Sequence, residues 1–471
     1  MKFWHIVVAW LAALSIGAWM VVSGPLRVAP DGPSQGDVQV APQPAPAYRK
    51  GPVSAAQSPP PVLRQPAGVS APANAVPDES ALGEWETFQR DARHTGYVPA
   101  SFHPGRFREI WTWERPEDGS VLGGINAVAT APGLVAISDE EYHGNPAIRV
   151  LREADGALVW EQVFQNYPAL NPPAVKNGAV YVTTTGHEQT FLWGFGVEDG
   201  TPIIQNSFYS QWPRLLAPTV EGGRVFVASG YMNDQVYAFD AVGGDLAWTS
   251  PTRWGVDMST PAVHDGRVFQ YDGSNLHAFD ALSGAPIGVI PDPQSPGAAG
   301  TYNGAPVVGY ADSVTALSGG AYNSFEARHL VNFSLARNRI RWRSSRTYAT
   351  QPARAKGVIY AGSNTPKSFD AIDEATGQVL WSWVPGPEDV AFQHNVVVTA
   401  NLVFVSTDRA VHALSLRTKR LVWSYPVPGK LAISGGGTLY IVETTERSTG
   451  RLIAISLNGR ATGGRGLRRL R

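Results

Sequence analysis

Gly178-Ala179-Val180-Tyr181-Val182 is a short pattern that returns along the chain at a nearly constant spacing. A glycine, asparagine or aspartate comes first, and an aliphatic residue two positions later begins a short apolar run. The aliphatic residues of the eight copies are Val135, Val180, Val225, Val268, Val314, Ile359, Val403 and Leu439. Successive copies are 36 to 46 residues apart. A period of roughly 40–50 residues made of short strands is typical of a β-propeller.

Two further elements accompany most copies of the pattern. A turn followed by a Trp lies after it, most clearly in Ala238-Phe239-Asp240-Ala241-Val242-Gly243-Gly244-Asp245-Leu246-Ala247-Trp248. A proline followed by small and aliphatic residues lies before it, as in Pro261-Ala262-Val263. Turn residues separate the apolar runs, so each repeat predicts four strands.

The repeated residues have a packing explanation. Small side chains suit the crowded centre where blades converge, and a Trp fills the widening wedge between neighbouring blades. An aspartate that recurs in a turn is expected to bond its own backbone rather than a metal. We apply this interpretation to Asp155, Asp240, Asp280 and Asp373. The histidines are scattered without zinc-ligand spacing, so no metal site is expected.

The last repeat lacks its fourth strand, because no Trp follows Leu452 to Gly459. An unassigned strand, Phe107 to Trp113, precedes the first repeat. Pairing the two chain ends would remove exposed sheet edges. We therefore predict an eight-bladed, all-β propeller of four-stranded antiparallel blades, the last blade being closed by the N-terminal strand.

Ala238, Asp240, Gly244 and Trp248 match the tryptophan-docking motif of the pyrroloquinoline quinone (PQQ)-like repeat superfamily, which the chain resembles over about residues 85–460. The segment from Trp85 to Tyr97 is also similar to the start of many propellers in that superfamily. The resemblance implies one of two functions. One is a quinoprotein alcohol dehydrogenase, and the other is a non-catalytic module like the propeller of the outer-membrane β-barrel assembly machinery.

The chain divides into four parts. Residues 1–23 are apolar and predict an N-terminal membrane anchor or signal segment. Residues 24–80 are a Pro/Ala-rich linker expected to be disordered. The propeller occupies residues 81–460, and residues 461–471 form a basic disordered tail. Lys2 favours a cytoplasmic start, which predicts a single-pass protein on the periplasmic side of the inner membrane, or a periplasmic one if cleaved.

Composition limits the chemistry. The formal net charge is −1, with 38 basic and 39 acidic residues, so a nucleic-acid partner is not expected. A quinoprotein enzyme, by the resemblance, would need a Ca²⁺-binding set of carboxylates and amides, a catalytic Asp, an aromatic floor and a vicinal disulfide. The chain contains no Cys. We therefore expect no cofactor, with PQQ and Ca²⁺ kept as the alternative.

Aromatic and arginine residues concentrate in the predicted connections between blades. Trp, Tyr and Arg dominate binding hot spots, although aromatic residues there could simply cap the blade ends. The predicted binding residues are Tyr167, Trp212, Arg214, Arg253, Trp254, Arg346 and Tyr348. The sequence thus favours a monomeric, non-catalytic scaffold that binds an envelope protein or polymer. The alternative is a PQQ-dependent dehydrogenase that oxidises alcohols or sugars.

Overall fold

The computed structural model describes 83–116, 124–140, 145–165, 167–186, 190–210, 217–229, 235–252, 260–295, 304–310, 313–318, 328–444 and 450–459. All of these residues belong to one compact unit, Ala73–Arg471, and the other unit, Met1–Pro72, lies outside them. The predicted membrane segment, linker and basic tail also lie outside the described residues. Within the described ranges, no helix has the length and apolar character needed to cross a membrane.

Strands account for nearly all regular structure. Two strands and a short 3-10 helix, Pro104–Arg106, precede the repeats; the strands are β1 (Tyr97–Val98) and β2 (Arg108–Glu114). The strands of blade 1 are β3 (Gly124–Ile125), β4 (Ala129–Ala131), β5 (Leu134–Glu140), β6 (Ala147–Arg152) and β7 (Leu158–Val163). Those of blade 2 are β8 (Ala169–Leu170), β9 (Ala174–Lys176), β10 (Ala179–Thr185), β11 (Phe191–Gly196) and β12 (Pro202–Ser207).

The next three blades follow in chain order. Blade 3 contains β13 (Thr219–Glu221), β14 (Arg224–Ala228), β15 (Gln235–Asp240) and β16 (Leu246–Pro251). Blade 4 contains β17 (Ala262–His264), β18 (Arg267–Tyr271), β19 (Asn275–Asp280) and β20 (Pro286–Pro291). Blade 5 contains β21 (Val307–Val308), β22 (Ser313–Leu317), β23 (Arg328–Ser334) and β24 (Arg339–Tyr348).

Three blades complete the ring. Blade 6 contains β25 (Ala353–Ala355), β26 (Val358–Asn364), β27 (Lys367–Asp373) and β28 (Val379–Trp383). Blade 7 contains β29 (Phe392–Thr399), β30 (Leu402–Thr407), β31 (Val411–Ser415) and β32 (Leu421–Tyr425). Blade 8 contains β33 (Gly429–Ile433), β34 (Thr438–Glu443) and β35 (Arg451–Ser456), and β2 is its fourth strand.

The predicted eight-bladed fold and its closure are confirmed. Strand β2 pairs antiparallel with β35, so the N-terminal strand completes the last blade. Three blades depart from the four-stranded arrangement by one additional strand. In blades 1 and 2 the inner strand is split into two pieces that both pair with the second strand, and in blade 7 β1 adds in parallel to β29.

The Trp residues lie between blades as predicted. Trp248 Nε1 donates to the carbonyl oxygen of Ala281 in blade 4 (3.1 Å), and its indole packs against Gly284 in the turn that follows. Trp111, Trp160 and Trp342 make the same two contacts with the blade that follows their own, a hydrogen bond to a backbone carbonyl and packing against a glycine. In blade 2 an aliphatic side chain, Ile204, takes this place. The recurring Trp of one repeat therefore contacts the recurring Gly of the next repeat.

The repeated aspartates bond the turn backbone. Asp240 Oδ1 accepts hydrogen bonds from the amides of Val242 (3.0 Å) and Gly243 (2.7 Å), and these bonds lower the pKa of Asp240. Asp155, Asp280 and Asp373 accept from the corresponding amides of their own turns. The structural interpretation of these carboxylates is confirmed.

Candidate functional site

Residues 84–98, here called the axial segment, cross the centre of the propeller and touch the innermost part of every blade. Its hydrogen-bond partners in blades 1 to 8 are, in order, Thr130, Val175, Pro218, Val263, Val308, Arg354, Val398 and Gly435. Six of these eight contacts include a hydrogen bond between backbone atoms. The other two are made by side chains of the segment, that of Thr87 with Pro218 and that of Glu84 with Gly435. The segment therefore closes one end of the axis, where the first and second strands of the blades are joined.

The axial segment is held in an unusual backbone conformation. Gln89, Arg90 and His94 have φ angles of 56°, 81° and 56°, a region that side chains other than glycine rarely adopt. The Gln89 side chain is almost fully buried; it donates to the carbonyl of Pro352 (2.9 Å) and accepts from Asn395 Nδ2 (2.8 Å). Such conformations persist only where the surroundings hold them.

His94 belongs to the axial segment, and its side chain is buried between Phe88 of that segment and Pro261 of blade 4. Its two ring nitrogens lie 2.6 Å from the carbonyl oxygen of Phe88 and 2.9 Å from that of Pro261. Burial lowers the pKa of His94, and the two carbonyl contacts oppose this only in part. Sequence reasoning missed this role of His94, because its contact with Pro261 joins residues far apart in the chain.

A polar groove of about 680 Å³ lies beside the axial segment, along the turns between first and second strands in blades 2 to 4. Lys176 donates to Glu86 (2.8 Å) and to Glu221 (2.9 Å) across it. Burial lowers the pKa of Lys176, but the two carboxylates outweigh it and the net shift is upward. The groove is thus crossed by a lysine that pairs with two carboxylates.

The structure places the predicted binding residues in separate surroundings. Trp212, Arg214, Arg253 and Trp254 lie outside the described residues. Tyr167 is half-buried at the start of blade 2, where its ring makes edge contacts with an aromatic group. The members of that group are Phe164, Phe191 and Trp193.

Arg346 and Tyr348 come together, and they lie within strand β24 rather than in a connection between blades. Arg346 Nη1 and the Tyr348 hydroxyl each lie 3.0 Å from Asp370 Oδ2 in blade 6, and Ser382 donates to Asp370 Oδ1 (2.6 Å). Asp370 is fully buried. Burial, with the adjacent carboxylate, raises the pKa of Tyr348. Both predicted residues therefore join blades 5 and 6, and their role in binding a partner stays a prediction.

Other buried carboxylates are also paired between or within blades. Asp139 accepts from Arg149 (2.6 Å) and lies 3.0 Å from Arg115. Asp292 pairs with Arg343 (2.7 Å) in the next blade. These pairs escaped sequence reasoning because nothing in the spacing of single charged residues reveals which arginine meets which carboxylate.

The described residues do not fit a quinone cofactor held by Ca²⁺. Among them, no group of three or more Asp, Glu or His side chains is placed to hold a metal. The fully buried carboxylates Asp139, Asp292 and Asp370 are occupied by arginines. A Ca²⁺ site needs several oxygen ligands that converge on one point.

A family model described as "Outer membrane protein assembly factor BamB" matches residues 147–383 and 367–462, well over half of the chain. Two relatives match over shorter segments. Tetrathionate hydrolase from Acidithiobacillus ferrooxidans is 26% identical over 241 residues, 44% of this chain and 45% of that protein. The dehydrogenase subunit of the quinone alcohol dehydrogenase from Gluconobacter oxydans is 32% identical over 125 residues, 24% of this chain and 16% of that protein. The matches span less than half the length of either relative.

Solved structures share the fold at low sequence identity. BamB from Moraxella catarrhalis has a TM-score of 0.54 and 16% identity, with 74% of this chain and 97% of that chain covered. The quinohemoprotein alcohol dehydrogenase from Comamonas testosteroni has a TM-score of 0.59 and 12% identity, with 84% and 83% covered. The same architecture therefore occurs in a protein named as an assembly factor and in an enzyme.

Proposed function

The chain belongs to the family described as outer membrane protein assembly factor BamB, and from this premise we propose that it is a non-catalytic binding module of the bacterial cell envelope. The family match over residues 147–462 is the observation that carries the proposal. A propeller supplies a rigid ring whose loops can be varied for recognition without disturbing the core.

The described side chains support a scaffold. The repeated aspartates bond their own turns, and buried carboxylates such as Asp292 and Asp370 pair with arginines of a neighbouring blade. Neither set is available for chemistry. The proposed recognition surface consists of Tyr167, Trp212, Arg214, Arg253, Trp254, Arg346 and Tyr348. We propose an envelope protein as the partner, because large aromatic and arginine side chains carry much of the energy in protein interfaces.

The test is crosslinking in cells with the full-length protein, followed by identification of captured partners. The variant replaces Trp212, Arg214, Arg253 and Trp254 with Ala. The control replaces four exposed apolar residues of the outer strands and turns with Ala: Leu158, Leu246, Leu282 and Ile287. We expect the first variant to lose a partner that the wild type and the control retain, with unchanged circular dichroism. Equal capture by all three would reject this surface.

The proposed location is the periplasmic side of the inner membrane, with residues 1–23 as the tether or as a signal that is removed. Membrane fractionation of the full chain, and protease added to spheroplasts, would test it. An intact propeller in protease-treated spheroplasts that is digested only after lysis would contradict an exported propeller.

The alternative is a quinone-dependent dehydrogenase, favoured by the 32% identity to an alcohol dehydrogenase subunit over 125 residues. The experiment adds PQQ and Ca²⁺ to the purified full-length protein and follows cofactor absorbance and dye reduction with alcohols and sugars. Turnover that depends on PQQ would replace the scaffold proposal.

A further inference from the structure

One position recurs in each blade, the residue directly after the third strand. In blades 1, 2, 3, 4 and 6 its backbone carbonyl accepts a hydrogen bond from a side chain of the preceding blade. The residue is apolar in six blades, namely Val197, Ala241, Ala281, Leu335, Leu416 and Leu457. In the other two it is glutamate, Glu153 in blade 1 and Glu374 in blade 6. Both glutamates still accept a Trp Nε1 hydrogen bond through their backbone carbonyl. Two carboxylates are thus placed where the other blades have a buried or half-buried apolar side chain.

Glu374 has a counter-ion. Arg354 Nε and Nη2 lie 2.9 and 2.8 Å from Glu374 Oε2, and the arginine is 1% exposed. The Ser313 hydroxyl donates to the other carboxylate oxygen. A buried carboxylate costs free energy unless it is paired and hydrogen-bonded. At the junction of blades 5 and 6 that requirement is met.

Glu153 is 7% exposed, and among the described residues no Lys, Arg or His forms an ion pair with it. The Ser434 hydroxyl donates to it from blade 8. A second carboxylate, Glu84, enters the same junction from the axial segment. Glu84 Oε2 accepts from Thr130 Oγ1 (2.7 Å) and from the amide of Gly435 (3.0 Å), again without an ion pair in the described part of the chain.

The two carboxylates lie beside consecutive glycines. A Cβ at Gly435 would lie 2.5 Å from Glu84 Oε1, and a Cβ at Gly436 would lie 2.9 Å from Glu153 Oε1. The glycines of Ser434-Gly435-Gly436-Gly437 therefore leave the space that the carboxylates occupy. Gly436 is exposed, which leaves a route from solvent to this junction.

A buried hydroxyl lies near the same carboxylates, close enough for their charges to act on it. The Tyr440 hydroxyl is fully buried and has no hydrogen-bond partner among the described residues. Tyr181 occupies the same position in blade 2, three residues after the repeat glycine, and it donates to the carbonyl oxygen of Ala241, the counterpart of Glu153. The repeat thus aims Tyr440 at Glu153, and the Tyr440 ring packs 5.9 Å from Trp111, which itself bonds Glu153. Burial and then the charges of Glu153 and Glu84 raise the pKa of Tyr440.

We propose that Glu84, Glu153, Ser434 and Tyr440 form a cation site, the ring-closure site, between blade 8 and blade 1. Its donors are all oxygen atoms and two are carboxylates, which is the chemistry of a hard cation such as Ca²⁺. The cation supplies the positive charge that Arg354 supplies at Glu374. It also joins the axial segment, the first blade and the blade built from both chain ends, so its binding stabilises the closed ring.

The test measures thermal unfolding of the full-length protein in EDTA and in millimolar Ca²⁺. We expect Ca²⁺ to raise the Tm of the wild type by about 3 °C or more. Glu153→Gln and Glu84→Gln should lose this shift. In EDTA, Glu153→Gln should unfold at or above the wild-type temperature, because it removes an uncompensated charge. Glu86→Gln, a neighbouring acid of the axial segment that pairs with Lys176, is the control and should keep the full shift.

A second measurement does not depend on stability. Tb³⁺ bound at the ring-closure site should luminesce when Trp111 and Tyr440 are excited, and Ca²⁺ should displace it. Glu153→Gln should remove this signal and Glu86→Gln should retain it. A Ca²⁺ shift or a Tb³⁺ signal that persists in Glu153→Gln, or the absence of both in the wild type, would overturn the proposal.

Discussion

The indole of Trp248 lies so close to Gly284 in the next blade that a Cβ on the glycine would be 2.6 Å from the indole Cδ2. Gly284 has a φ of 73°, in the left-handed region that favours glycine. The same relationship joins Trp111 to Gly156, Trp160 to Gly200 and Trp342 to Gly377. Each pair requires a flat ring from one blade and a missing side chain in the next, so the repeat encodes the contact between blades.

We expect Gly284→Ala to lower the free energy of unfolding by about 2–4 kcal/mol, from left-handed strain together with overpacking against Trp248. Gly266→Ala is the matched control. Gly266 also has a positive φ, 68°, but a Cβ there would meet no atom within 4 Å. It should lose only about 1–2 kcal/mol. Urea unfolding measures both losses. Equal losses would show that the contact with Trp248 adds nothing to the cost of a Cβ at Gly284.

Trp248→Ala should lower the free energy of unfolding by about 3–5 kcal/mol, as for large core aromatic residues in general. Trp248 is 8% exposed, and its Nε1 hydrogen bond to Ala281 is lost together with the ring. Leu282→Ala, at a residue that is 75% exposed in the neighbouring turn, should change stability by less than about 0.5 kcal/mol. A comparable loss of stability in both variants would show that Trp248 does not contribute to the core as we expect.

Arg354→Met should destabilise the protein by about 3–5 kcal/mol, because it leaves Glu374 buried without a counter-ion. The double variant Arg354→Met/Glu374→Gln should recover much of this loss, since the amide is neutral and can still accept from Ser313. Chemical unfolding of the two variants and the wild type gives the comparison. If the double variant is as unstable as the single one, packing of Arg354 on Tyr310, 3.7 Å from its ring centre, outweighs the charge.

His94 should make stability depend on pH. Burial lowers its pKa in the folded protein, so between that value and the unfolded value of about 6.5 the unfolded chain binds more protons. The contribution of His94 is therefore complete above about pH 6.5 and is lost as pH falls below it. The slope approaches at most about 1.4 kcal/mol per pH unit.

Urea unfolding at several values between pH 5 and pH 7.5 tests this dependence. His94→Gln should flatten the slope, whereas His103→Gln, at an exposed residue, should leave it unchanged. A slope that survives in His94→Gln would assign the pH dependence to other groups.

The ring closure and the axial segment show how far sequence reasoning reaches. Phe107 to Trp113 could be assigned to the last blade because that blade lacked a strand with the same apolar and Trp pattern. The path of Trp85 to Tyr97 across the axis could not be predicted. Its partners are backbone groups of eight different blades, and a backbone hydrogen bond leaves no trace in residue type.

The predicted recognition surface shows the same limit. Arg346 and Tyr348 were chosen for their residue types, and the structure places both against Asp370 of the next blade. Only the three-dimensional register of blades 5 and 6 reveals that partner. The binding role of Trp212, Arg214, Arg253 and Trp254 stays a prediction.

The sequence by itself determined the number of blades, their strands, the turn aspartates and the Trp contacts, because these depend on local periodicity that repeats along the chain. Tertiary structure decided which end of the axis is closed, which carboxylates meet an arginine, and that Glu84 and Glu153 enter the junction of blades 8 and 1 with no ion-pair partner among the described residues. Those outcomes depend on contacts between residues up to hundreds of positions apart, such as Glu84 and Gly435. Burial gives such contacts their energy, and burial is a property of the folded ring.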